Sequence, residues 1–122
     1  MKLYVCSHCG NIITYLENSG VPVMCCGEKM KELAPNTVDA AKEKHLPVIE
    51  VKDLLATVSV GSVTHPMQED HYIKWIILET TEGFKVKTLN YTDAPVAIFS
   101  LIDGEEVISA YEFCNKHGVW KA

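Results

Sequence analysis

The chain has no arginine: its eleven basic residues are all lysines, set against sixteen carboxylates for a formal net charge of −5. No basic run is interleaved with aromatics, so a surface built to hold phosphate backbones is excluded, and with it a nucleic-acid partner. No apolar run approaches the roughly 20 residues that a membrane-spanning helix needs. The opening Met-Lys-Leu-Tyr-Val-Cys lacks the apolar core of a secretory signal. These absences predict a cytoplasmic protein with no membrane partner. An even number of cysteines is missing too. Five cannot all pair, and in a reducing compartment a cysteine cluster is read as a metal site before a disulfide framework.

What is present suits a soluble globular chain of 122 residues, 48% hydrophobic and 22% charged. That is the size of one ordinary domain, or of one small domain plus a stapled miniature one. The first 36 residues stand apart: they hold four cysteines with Gly10, Gly20 and Gly27, and too few apolar residues for a core. A segment this small normally needs a metal or a partner to fold. Residues 33–44, L-A-P-N-T-V-D-A-A-K-E-K, read as a polar connector with a helical turn expected over Val38 to Lys42. From Leu46 onward the texture alternates and becomes β-branched, as in V-I-E-V-K, L-L-A-T-V-S-V and H-Y-I-K-W-I-I-L-E-T. Gly61, Pro66, Gly83, Pro95 and Asp103-Gly104 interrupt the runs. Six or seven short strands with frequent turns predict a mainly β fold, an antiparallel β-sandwich of immunoglobulin-like size.

Two constellations carry the chemistry. The first is Cys6-Ser-His-Cys9-Gly10, then Cys25-Cys26-Gly27, with fifteen residues between Cys9 and Cys25. A C-x-x-C-G turn lets two thiolates converge on one ion while the glycine relieves the backbone. The second half is unusual, because adjacent side chains ordinarily diverge, so a distorted tetrahedron is expected. Residue types admit either zinc or a mononuclear Fe(SCys)4 centre, and a zinc knot that only staples the segment is the plainer reading. His8, between two ligands, reads as a bystander facing solvent.

The second constellation is His45, His65, His71 and His117 with the fifth cysteine, Cys114. Singly, each histidine is more often a surface or satisfied core residue than a ligand. Together they form a set of imidazoles and one thiolate with no other evident task. Pro47 and Pro66 stiffen the backbone beside two of them, and Cys114-x-x-His117 can present both side chains to one point. Four nitrogens and one sulfur would leave one position of an octahedral iron open, opposite an electron-rich thiolate. A blue-copper site competes, since it also uses histidines and a cysteine in a β-sandwich. Its axial methionine, however, has no counterpart in Gly118 to Ala122.

These motifs, C-x-x-C-G with C-C-G downstream, E-K-H-x-P, G-S-x-x-H-P-M, E-x-H-Y-I-x-W and C-N-x-H-G-x-W, resemble desulfoferrodoxin, the two-iron superoxide reductase family. The similarity runs over essentially the whole chain in the right order. It implies a desulforedoxin-like Fe(SCys)4 domain over residues 1–36, held by Cys6, Cys9, Cys25 and Cys26, with zinc as an alternative occupant. Residues 37–122 would be the immunoglobulin-like catalytic domain, with His45, His65, His71 and His117 equatorial and Cys114 axial on a second non-haem iron. The implied activity is one-electron reduction of superoxide to hydrogen peroxide, a detoxifying reaction that releases no oxygen. Re-reduction by an external donor such as rubredoxin and a homodimeric assembly are implied as well. Glu43 and Lys44 alone read as a solvated charge pair. By resemblance they become catalytic: Glu43 as an oxygen ligand in the ferric resting state, Lys44 as the cation that gathers superoxide and orients water. Lys42 and Lys74 are candidates to widen that positive patch. A non-catalytic electron-transfer iron protein is the alternative.

Overall fold

In a computed structural model describing residues 1–122, the alternating texture after Leu46 resolves into seven strands. Before them lie β1 (Tyr4–Val5), β2 (Ile12–Ile13), β3 (Met24–Cys25), β4 (Glu28–Lys29), β5 (Lys31–Glu32) and one helical turn, α1 (Lys42–His45). The seven are β6 (Pro47–Lys52), β7 (Leu55–Val60), β8 (Ile73–Thr80), β9 (Gly83–Thr88), β10 (Val96–Ser100), β11 (Val107–Cys114) and β12 (Gly118–Lys121). The chain divides into two compact units, Met1–Ala34 and Pro35–Ala122. No helix is long and apolar enough to cross a membrane.

In the first unit β2, β1 and β5 form a three-stranded antiparallel sheet, and β3 pairs with β4 across Cys26-Gly27. Its buried side chains are Leu3, Cys6 and Met30 alone. Burying an apolar side chain is worth about 1.5–3 kcal/mol, so three cannot offset the ordering entropy of a unit this size. A further staple is required, and the cysteines are placed to provide it.

The second unit is the antiparallel β-sandwich that the alternation predicted. One sheet runs β10-β7-β6 and the other β12-β11-β8-β9. Period-two alternation turns Ala56, Val58 and Val60 of β7 inward with Ala97 and Phe99 of β10. They meet Ile73, Ile76, Leu78, Ala110 and Cys114 from the facing sheet. The register of β8 against β11 slips between Phe113, opposite Trp75, and Cys114, opposite Ile73. This bulge lies beside the last residue of β11, which is where a sheet can re-aim a functional side chain.

The helical turn falls at Lys42–His45, four residues later than its expected start. A long-range contact delays it. Asn36 donates its backbone N–H to the Val119 carbonyl (3.0 Å), and its side chain bonds both the N–H and the carbonyl of Lys121 (2.8 and 3.1 Å). The segment is thus pinned to β12 at a turn over residues 35–36, with Asn36 left-handed (φ 61°), and the helical turn closes further on, where the Lys44 N–H meets the Ala41 carbonyl (3.2 Å) and the Leu46 N–H the Lys42 carbonyl (2.9 Å). It stops there because Leu46 precedes a proline and is held extended (φ −65°, ψ 124°).

Candidate metal centres

The first centre is built from two knuckles. Cys6 follows β1, and its carbonyl accepts the Gly10 N–H (3.0 Å) while its Sγ accepts the Cys9 N–H (3.4 Å). Gly10, at φ 81°, supplies the left-handed turn that returns the chain. Across the site, Cys26 itself is left-handed (φ 53°), followed by Gly27 (φ 76°). Two successive left-handed residues are how neighbouring cysteines aim at one point. All four sulfurs lie within 4.8 Å of one another, with Cys9 and Cys25 at 3.6 Å. That is far outside the ~2.05 Å of a disulfide. The backbone amides of Cys9 and His8 hold the Cys6 thiol down to about 6, whereas its thiol neighbours push Cys26 up to about 12 and raise Cys25 as well. Four thiols this close cannot all ionise alone; a bound cation would let them. His8 points away, its Nε2 3.1 Å from Glu28 at the surface.

The second centre is assembled from strand ends. His45 closes α1, His65 and His71 lie between β7 and β8, Cys114 ends β11 and His117 sits in the turn to β12. Ligand atoms of His45, His65, His71 and Cys114 lie within 4.8 Å of one another. His117 Nδ1 is 3.1 Å from His45 Nε2 and 3.8 Å from Cys114 Sγ. The imidazoles form a closed ring: His45–His65, His65–His71 and His45–His117 centroids are each 4.8 Å apart and His71–His117 are 5.3 Å apart. Every neighbour is turned edge-on, at 75° to 88°.

The hydrogen bonds fix which nitrogens face inward. His45 Nδ1 donates to the Ala41 carbonyl and His65 Nδ1 to the Pro66 carbonyl, both at 2.7 Å. A carbonyl only accepts, so these nitrogens carry the proton and Nε2 is left as a lone pair. His65 Nε2 and His71 Nε2 are buried without any partner. Buried polar atoms are rarely left so, and two of them directed into one cluster fit a metal ion. Burial holds the His45 and His71 imidazoles below their ordinary range and lowers His65 to about 4, so all three are neutral donors at neutral pH. Burial raises the Cys114 thiol, opposed by the amides of Lys116 and His117.

Glu43 and Lys44 lie just before His45, both exposed. The clustered ligand atoms do not include the Glu43 carboxylate. The Glu43 backbone, by contrast, is firmly seated: its carbonyl accepts the Val63 N–H (2.8 Å) and the Ser62 hydroxyl (3.3 Å). Lys42 and Lys74 are exposed as well.

Three supporting residues escaped sequence reasoning. Trp120 stacks on His45 (5.1 Å, 28°) and donates its indole N–H to the His117 carbonyl at 3.1 Å. Glu112, two residues before Cys114, is fully buried with both carboxylate oxygens unpartnered. Asn115 bonds to the backbone on either side of His71. Period-two alternation of β11 already sets Glu112 on the face of Cys114, and Asn115 and Trp120 are fixed positions of the C-N-x-H-G-x-W motif, so each had a signal available in advance although none announced its contacts.

A family model described as Desulfoferrodoxin matches residues 37–122. Over all 122 residues the chain is 47% identical to a desulfoferrodoxin of Desulfarculus baarsii, covering 95% of that protein. It is 48% identical to one of Nitratidesulfovibrio vulgaris over 99% of this chain and 94% of that one. The crystal structure of the superoxide reductase from Treponema pallidum superimposes with a TM-score of 0.84 at 41% identity, covering 100% of this chain and 99% of the other.

Proposed function

The chain belongs to the desulfoferrodoxin family, and from that premise we propose that it is a superoxide reductase working at the cluster of His45, His65, His71, His117 and Cys114. The observation that carries this reading is the closed ring of imidazoles, with two buried Nε2 atoms lacking any protein partner and one buried thiol beside them. Two non-haem irons per chain fit the four-cysteine set and the set of His45, His65, His71 and Cys114 with His117 beside them. When bound, the second iron supplies the single electron that superoxide requires.

The residues divide the remaining work. The Nδ1 bonds of His45 and His65 keep their rings oriented and their basic nitrogens inward. Cys114 contributes a thiolate whose electron density favours release of product. Lys44 raises the local concentration of an anion around a chain whose net charge of −5 would otherwise repel it. It also orients the water that delivers the two protons hydrogen peroxide needs. Glu43 would lend an oxygen donor to the iron of the oxidised protein. The first unit is a desulforedoxin-like domain, an external one-electron donor of the rubredoxin type restores the reduced state, and the protein is a homodimer.

The test is anaerobic stopped-flow mixing of ferrous protein with superoxide. One hydrogen peroxide per superoxide and no oxygen is expected. Evolution of oxygen, or ferrous protein left unoxidised, overturns the proposal. Binding of azide or cyanide at the histidine centre separates a reductase from a pure electron carrier, which has no vacant position to fill.

A further inference from the structure

We propose that Asn115 is a positioning residue for His71, a clamp that ties the Cys114–His117 turn to the loop carrying that histidine; the inference rests on the reading of this cluster as a metal centre.

The other ligands are each secured directly. His45 and His65 are held through their own ring N–H groups, and His117 through its carbonyl by the Trp120 indole. Cys114 is part of a central strand. His71 differs. Its Nε2 is buried and unpartnered, and its ring meets His65 and His117 edge-on. Its own backbone pairs only with Gln68, in a tight bridge of 2.9 and 3.1 Å. That bridge closes a small loop on itself and does not fix where the loop sits against the other ligands.

Beyond the Cys114–Ile73 strand pair and a long, exposed Lys116–Asp70 ion pair (3.9 Å), the side chain that ties this loop to the Cys114–His117 turn is Asn115. Its side-chain oxygen accepts the Tyr72 N–H at 2.9 Å, and its side-chain amide donates to the Asp70 carbonyl at 2.9 Å. Its backbone N–H adds a bond to the Tyr72 carbonyl at 3.3 Å. One planar side chain therefore grips the residues immediately before and after His71, from a position adjacent to Cys114 in the chain. Donor and acceptor are both required, since Asp70 offers a carbonyl and Tyr72 an N–H. Aspartate lacks the donor and alanine lacks both.

The test is titration of the metal-free full-length chain with Co(II), reading the two centres by their separate absorption bands. Outer-shell partners of metal ligands are typically worth 10–100-fold in metal affinity. Asn115 is exposed, so water can replace part of its bonding, and Asn115→Ala should weaken the histidine centre by about tenfold, at the low end of that range. The cysteine centre should be unaffected, and the thiolate-to-cobalt band of Cys114 should persist at saturation. Asn115→Asp, nearly isosteric, should fall between wild type and alanine. In a His71→Ala background, Asn115→Ala should change affinity by less than about threefold, because the residue it positions is gone. A loss of less than about threefold in the single variant, or a second full tenfold loss in the double variant, would overturn the clamp; the latter would mean that Asn115 merely folds the turn. No cobalt at the histidine centre of the wild-type chain would overturn the metal reading itself.

Discussion

Glu112 offers a test that depends on neither metal nor substrate. Its side chain is fully buried on the inner face of β11 and neither oxygen has a partner. Burial pushes its carboxyl up to about 9 from an ordinary 4.5. Below about pH 4.5 the folded and unfolded chains both hold the proton, and its titration costs nothing. Above that, the unfolded chain releases the proton while the folded chain keeps it. The contribution of Glu112 to stability must then fall with rising pH by about 1.4 kcal/mol per unit, levelling off only above about pH 9. At pH 7 the accumulated cost is about 3 kcal/mol, a large fraction of the ~5–15 kcal/mol that holds a domain folded. Glu112→Gln keeps the shape and removes the titration. The assay is urea unfolding of the metal-free chain between about pH 5.5 and 8.5, followed by tryptophan fluorescence. Both tryptophans, Trp75 and Trp120, lie in the sandwich. The variant should gain on wild type by about 1.4 kcal/mol for each pH unit at unchanged urea dependence, while titration of the histidines cancels between the two proteins. Parallel stability curves would refute the reasoning, because they would mean that the carboxylate ionises in the native core.

Gly61→Ala would place a Cβ 2.6 Å from the Glu43 carbonyl oxygen and 2.9 Å from the Lys44 carbonyl carbon. Backbone must move, so thermal unfolding should show a loss of about 1–3 kcal/mol, and stopped flow should show slower superoxide capture with iron content unchanged. Lys44→Ala should slow capture by roughly tenfold and flatten its dependence on ionic strength, with both metals retained; an unchanged rate rules out the steering role. Cys114→Ser should abolish the sulfur-to-iron charge-transfer band of the histidine centre together with activity, and survival of both would show that Cys114 is not a ligand.

How much of this was legible in the sequence depended on distance along the chain. The knuckle Cys6-Ser-His-Cys9-Gly10 could be read directly, because three residues and a glycine suffice to turn two thiols toward one point. The sandwich could also be read, because alternation in L-A-T-V-S-V and V-A-I-F-S sets the buried face of each strand without reference to its partner. The late start of α1 could not, because it follows from hydrogen bonds between Asn36 and residues 83 and 85 positions further on.

The sequence by itself determined the donors: four cysteines in two knuckles, four histidines and a fifth cysteine at turns and strand ends. It also determined that the first unit has too little apolar surface to fold without a staple. Only the tertiary structure decided the cyclic order of the imidazoles, the pairing of His45 with His117 across 72 residues, and which ring nitrogens face inward. It also decided that Asn115 grips both sides of His71 and that Glu112 is sealed without a partner. Residue types carry the chemistry of a ligand, but its direction is set by sheet pairing and by backbone carbonyls far away in sequence.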